Sequence, residues 1–108
     1  MTIAKRRNET PITEYPPDEI HDGSQDVVTA GTAIQLTTTD TPCRLINIFA
    51  KAGNTGNVFV GGSTVSSARG MVLEPARSSD WFPIDNVNKI YIDCEGGNTD
   101  GVQYCWVV

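Results

Sequence analysis

Three kinds of residue are scarce in this chain, and each scarcity closes off a class of function. There is one histidine, His21, and there are three cysteines, Cys43, Cys94 and Cys105, among 108 residues. No two cysteines form a Cys-x-x-Cys pair and the histidine stands far from all three, so the ligand spacing of structural zinc is missing. An odd, low cysteine count does not suit a secreted disulfide framework, and the thiols are read as reduced. Basic residues are also few, 8 Lys and Arg against 13 Asp and Glu, for a formal net charge of −5. Gripping a phosphate backbone needs a basic surface, which argues against nucleic acid as a partner; the cluster Lys5-Arg6-Arg7 is the local exception. No run approaches the ~20 apolar residues that cross a bilayer, and the basic start is not followed by a signal-type apolar core. The chain therefore reads as soluble and unprocessed, with no membrane contact. Helical periodicity is lacking as well, since no useful window places apolar residues at i, i+3, i+4 and i+7.

What is present divides the chain in two. Residues 1–26 hold Pro11, Pro16 and Pro17, three basic residues and six acidic ones, with no strand or helix period. Proline lacks a donor and restricts its predecessor, so Glu14-Tyr15-Pro16-Pro17 is expected to be extended. Such a segment buries too little apolar surface to offset its ordering entropy unless it lies on something else. It reads as an N-terminal arm. Ile3, Ile12, Tyr15 and Ile20 are its natural pegs, and Lys5, Arg6 and Arg7 suit an acidic patch on a neighbour.

From Val27 to Val108 the pattern changes to short β-branched runs punctuated by Gly, Asn, Asp and Pro, the signature of an all-β sandwich or barrel. Strands are predicted near 27–29, 33–37, 43–51, 57–61, 70–74, 79–84, 88–94 and 102–108, about eight short strands in one domain. Gly53-Asn54-Thr55-Gly56 and Asn98-Thr99-Asp100-Gly101 supply residues that tolerate positive φ and are read as hairpin turns. The second turn would set Cys94 opposite Cys105, with Ile90, Ile92, Cys94, Cys105 and Val107 on the core face. Tyr91, Asp93, Tyr104, Trp106 and Val108 would then form an opposite, aromatic face in need of cover. Arg44 to Lys51 is similarly two-sided, Ile46, Ile48 and Ala50 pointing one way and Leu45 and Phe49 the other. So many apolar residues on both strand faces imply cover by the arm or by another subunit.

Chemical candidates are thin. Asp85, Asp93, Glu95 and Asp100 gather loosely toward the C-terminal strands, as a carboxylate pair for acid–base hydrolysis would, but solvated turn residues read the same way. Any catalytic triad would have to use His21, in the arm and away from a preformed cleft. Gly61-Gly62-Ser63 has neither the following helix nor the lysine of a phosphate loop. Glu95, Asn98 and Asp100 match no calcium-loop spacing. A Cys94–Cys105 bridge is a lesser alternative to reduced core thiols, and Asn8-Glu9-Thr10 is a glycosylation acceptor only for a secreted chain. Trp81, Tyr91, Tyr104 and Trp106 could stack on sugar rings; the competing reading, with Leu45 and Phe49, is subunit contact. No catalytic group and no cofactor are assigned.

The run Asn54-Thr55-Gly56-Asn57-Val58-Phe59-Val60-Gly61-Gly62, then Val65-Ser66-Ser67, Gly70-Met71-Val72-Leu73-Glu74-Pro75 and Ile84-Asp85-Asn86-Val87-Asn88-Lys89-Ile90-Tyr91-Ile92-Asp93, resembles a module of tailed-bacteriophage virion structural proteins. The likeness covers about residues 33–108 and leaves the arm unmatched. It implies a β-sandwich of jelly-roll type, displayed on the outer surface of the head as a decoration (cement) protein, or forming part of a fibre. It further implies self-association, commonly as trimers between capsomers, with the arm lying on the major capsid protein. Where the resemblance leads one to expect a Pro-Gly-Glu turn after Leu73, this chain has Glu74-Pro75-Ala76-Arg77. A glycan-binding or adhesin-like module, or a neck or tail connector, is the alternative role.

Overall fold

The computed structural model describes residues 19–108, and these form eight strands in two four-stranded antiparallel sheets. The strands are β1 (His21–Asp26), β2 (Ile34–Gln35), β3 (Leu45–Ala50), β4 (Val58–Gly61), β5 (Met71–Leu73), β6 (Phe82–Pro83), β7 (Tyr91–Cys94) and β8 (Gly101–Val107). A single 3-10 turn, Val87–Lys89, precedes β7 and is capped by the Asn86 side chain, which accepts from the Asn88 N–H. Sheet I has the order β1-β8-β3-β6 and sheet II the order β2-β7-β4-β5. First strand pairs with last, second with seventh, third with sixth and fourth with fifth. That nested pairing is the jelly roll.

Burial follows the two-residue period of each strand. Sheet I turns Ile46, Ile48 and Ala50 of β3 and Val102 and Tyr104 of β8 inward, and sheet II answers with Val58, Val60, Leu73, Ile92 and Cys94. Val27, Leu36 and Val87 close the ends from the connecting loops. Each fully buried apolar side chain contributes about 1.5–3 kcal/mol against leaving it in water.

Tyr104 spans the space between the sheets. Its hydroxyl donates to the Leu36 carbonyl, just past β2, at 3.2 Å. Its ring passes over Gly23 of β1, its register partner, where an added Cβ would stand 2.6 Å from Tyr104 Cζ. Trp106 stacks on Tyr104 at 5.7 Å, and His21 stacks on Trp106 at 5.2 Å with the planes 18° apart.

Several sequence expectations are corrected here. The segment read as arm to residue 26 contains a strand, because His21–Asp26 is the edge of sheet I. Its inward positions carry His21, Gly23 and Gln25, with no apolar periodicity, because the aromatics of β8 fill that part of the core. Residues 27–29 are not a strand: Val27 drops into the core and Val28 is exposed. Neither predicted hairpin forms, since β3 and β4 lie in opposite sheets, as do β7 and β8. Cys94 pairs with Val58, and Cys105 lies between Asp22 and Asn47 in the other sheet. All three cysteines are free, and Cys94 and Cys105 are not placed to bridge. The face assignment of β8 is also reversed: Tyr104 and Trp106 pack inward and Cys105 and Val107 outward.

Two substitutions test the Tyr104 arrangement. Gly23→Ala is expected to cost about 1–3 kcal/mol by forcing a methyl group against the ring. Tyr104→Phe leaves the Leu36 carbonyl without its donor and is expected to cost about 1–2 kcal/mol. Urea denaturation of each variant reads the loss; unchanged midpoints would mean that the ring does not lie over Gly23.

Candidate functional site

With the β8 aromatics facing inward, the outer face of sheet I is built from the alternate residues. β3 contributes Leu45, Asn47 and Phe49, and β8 contributes Gln103, Cys105 and Val107. β1 adds Asp22, Ser24 and Asp26 at one edge. On the other side Pro83 stands opposite Leu45 and Phe82 packs inward, so Trp81, its neighbour, points out across from Asn47. Leu45 and Phe49 are each 38% exposed and Trp81 45%. The face grades from an acidic, hydroxylic edge to an apolar flank, with a shallow hollow lined by Asp22, Ser24, Phe49, Gln103 and Cys105.

Local backbone explains how Trp81 reaches that flank. Ala76 and Asp80 both take positive φ, 68° and 61°. Between them the chain keeps hydrogen-bonding β3: Arg77 O accepts from Ala50 N at 2.8 Å and Ser79 N donates to Ile48 O at 2.8 Å. Ser78 bridges Phe49 while Phe82 pairs with Ile46, so the offset between the ladders leaves one extra residue on the β6 side. A bulge of this kind re-aims the side chains that follow it.

Asn47 sits in the middle of this face, only 7% exposed, and its Oδ1 has no hydrogen-bond partner among the described residues. An enclosed acceptor of that kind costs about 1–3 kcal/mol. Nothing in the sequence pattern marks it, because an Asn between Ile46 and Ile48 reads as an ordinary outward polar position.

The remaining candidates separate into structural roles. Asp100 is buried and accepts at Oδ1 from Thr55 N at 2.9 Å and at Oδ2 from Gly56 N at 2.8 Å. Beside it Asn54 bonds both the N–H and the C=O of Gly101, at 3.1 and 2.9 Å. These two side chains clip the β3–β4 loop to the β7–β8 corner. Asp93, 2% exposed, accepts from Gly31 N and Cys94 N, both at 2.8 Å. Asp85 pairs with Lys89 at 2.8 Å, and that hydrogen bond holds its carboxyl below the ordinary range. Glu95 is exposed. Each carboxylate thus has its own surroundings, and they do not form a facing pair.

The four-aromatic platform does not form. Trp81 lies outside sheet I, Tyr104 and Trp106 lie inside it, and Tyr91 stands on sheet II beside Gly61 and Gln35. Of the arm residues, Ile20 is 56% exposed, just ahead of β1; Ile3, Lys5, Arg6, Arg7, Ile12 and Tyr15 lie outside the described residues. No family model, curated protein or solved structure matches this chain.

The thiols give a check on these placements. Burial raises the pKa of Cys43, with a smaller push from Asp85, and burial raises that of Cys94. Cys43 donates to Ile84 O at 3.2 Å and Cys94 to Asn98 O at 3.4 Å, whereas Cys105 is half-exposed on the outer face. Iodoacetamide is expected to label Cys105 first and the other two only on unfolding. Because the fold favours the neutral thiols, their contribution to stability is complete below the ordinary value of 9.0 and is lost as pH rises through the raised folded values. Equal labelling of all three in the native protein would contradict these positions.

Proposed function

We propose that this chain is a structural protein of a tailed-bacteriophage virion, a decoration (cement) protein that grips the assembled head. Its action is mass action: a subunit that binds only the assembled shell stabilises the shell. It works through surface contact, with no bond made or broken.

The observation that carries the reading is the position of the apolar outer face of sheet I. Leu45, Phe49 and Trp81 are exposed on the same sheet whose edge strand, β1, receives the chain from residues 1–20. The chain thus enters the same sheet that carries this face, along its β1 edge. The arm brings Lys5-Arg6-Arg7 and isolated apolar pegs; the face brings large side chains of the kind that dominate interface energetics. Asn47 adds an acceptor that has no partner among the described residues. The resemblance at Asn54–Gly62, Gly70–Pro75 and Ile84–Asp93 supplies the virion context, with the major capsid protein as partner. The glycan-binding alternative loses its support, since its four aromatics do not share a surface.

The test is binding of the purified chain to expanded, undecorated heads, read by co-sedimentation and by the temperature at which the heads disrupt. The full chain is expected to bind and raise that temperature. Removing residues 2–18 is expected to abolish binding, and Phe49→Lys to weaken it about tenfold or more, the loss typical of a buried interface anchor. A full chain that ignores heads would refute the proposal.

A further inference from the structure

The unpartnered Oδ1 of Asn47 lies at the bottom of a pit in the outer face of sheet I. Asn47 is buried, while the longer side chains around it, Leu45 and Phe49 on its own strand and Trp81 across from it, stand exposed. The short amide is therefore the floor and the larger groups are the walls. One row of the sheet runs Asp22, Cys105, Asn47, with Trp81 beyond. Neighbouring strands lie about 4.8 Å apart, which puts Asp22 about 10 Å from Asn47 on one side. Asp80 adjoins Trp81 on the other, and both carboxylates are exposed. The basic residues nearby are otherwise placed. Lys51 is engaged by Asp26 at 2.8 Å and Arg77 by Glu74 at 3.8 Å, while Arg44 has the parity of Ile46 and lines a separate hollow with Cys43, Ile84 and Asp85.

We infer that this pit takes a primary ammonium group of the lysine kind, which donates to Asn47 Oδ1 between the rings of Phe49 and Trp81. A recessed acceptor needs a donor on a long, slender stem. A single oxygen suits a compact ammonium, whereas a planar guanidinium asks for two acceptors side by side. The rings attract a cation through their quadrupoles, tryptophan most strongly, and the methylene stem packs along Leu45 and Phe49. Asp22 and Asp80 give the approach a negative field. A neutral hydroxyl would satisfy the acceptor but gain nothing from rings or carboxylates, so the surroundings select the cation. Phe49 and Trp81 are exposed, and exposed side chains change rotamer within picoseconds to nanoseconds, so the floor opens without movement of the backbone. That a shell protein carries the lysine rests on the function proposed above; the pit itself does not.

Titration of the full, 15N-labelled chain with n-butylammonium chloride, followed by NMR, tests the pit without any shell. The Asn47 side-chain amide and the Trp81 indole N–H are expected to shift and saturate, with a dissociation constant of about 10–100 mM, the weak range for so small a ligand. Sodium chloride at the same ionic strength and n-butanol should leave both signals without saturation. Asn47→Leu, checked for an unchanged spectrum elsewhere, is expected to weaken binding about tenfold or more. Trp81→Leu should weaken it about two- to fivefold. No saturable shift with butylammonium would overturn the inference, as would equal binding of n-butanol or binding indifferent to Asn47→Leu. Heads play no part in this measurement, so a chain that binds butylammonium yet ignores heads would refute the shell-binding role and leave the pit standing.

Discussion

The placement of one ring decides which way the molecule faces. Tyr104 lies over Gly23 in the strand beside it and reaches the Leu36 carbonyl in the sheet opposite. It therefore joins first strand to last and sheet I to sheet II through a single side chain. Trp106, two residues on, must take the same face, and His21 closes the stack where the chain enters β1. A side chain at position 23 would push the ring away, and the parity of β8 would lose its reason.

That parity sets the surface. With Tyr104 and Trp106 inside, Cys105 and Val107 join Leu45 and Phe49 outside, and the bulge near Asp80 turns Trp81 toward the same side. The polar clips do the complementary work at the loop ends. Asp100 and Asn54 tie two corners together, and Asp93 fixes Gly31 over sheet II, so buried carboxylates serve as hydrogen-bond acceptors for loop N–H groups. Among the described residues these carboxylates are bound up in architecture, while the outer face of sheet I exposes Leu45, Phe49 and Trp81.

The sequence made the class of fold legible and hid the pairing. Seven of the expected strand regions contain a strand, because β-branched runs bounded by Gly, Asn and Pro have few other uses. β1 was invisible, since His-Asp-Gly-Ser-Gln-Asp shows no apolar alternation when a neighbour's aromatics fill its core side. Gly53–Gly56 and Asn98–Gly101 do turn the chain, but turn chemistry does not say which sheet the next strand joins; the Asn54 and Asp100 clips do. In β8 one alternate set is Val102, Tyr104 and Trp106 and the other Gln103, Cys105 and Val107, so Gln103 is the one polar mark of the outward set, and Gly23 gives the Tyr104 ring its room. Leu45, Phe49 and Trp81 are exposed, Tyr104 and Trp106 pack inward, and Tyr91 stands on the other sheet.

The most direct measurement is a set of NOESY contacts from the Tyr104 ring in isotopically labelled protein. Contacts to the Gly23 α-protons and to Leu36, with the Gly23 protons shifted upfield by the ring current, are the expected result. Contacts from Tyr104 to Leu45 or Phe49 instead would place the aromatics on the outer face, and the assignment of both the core and the outer face of sheet I would fail.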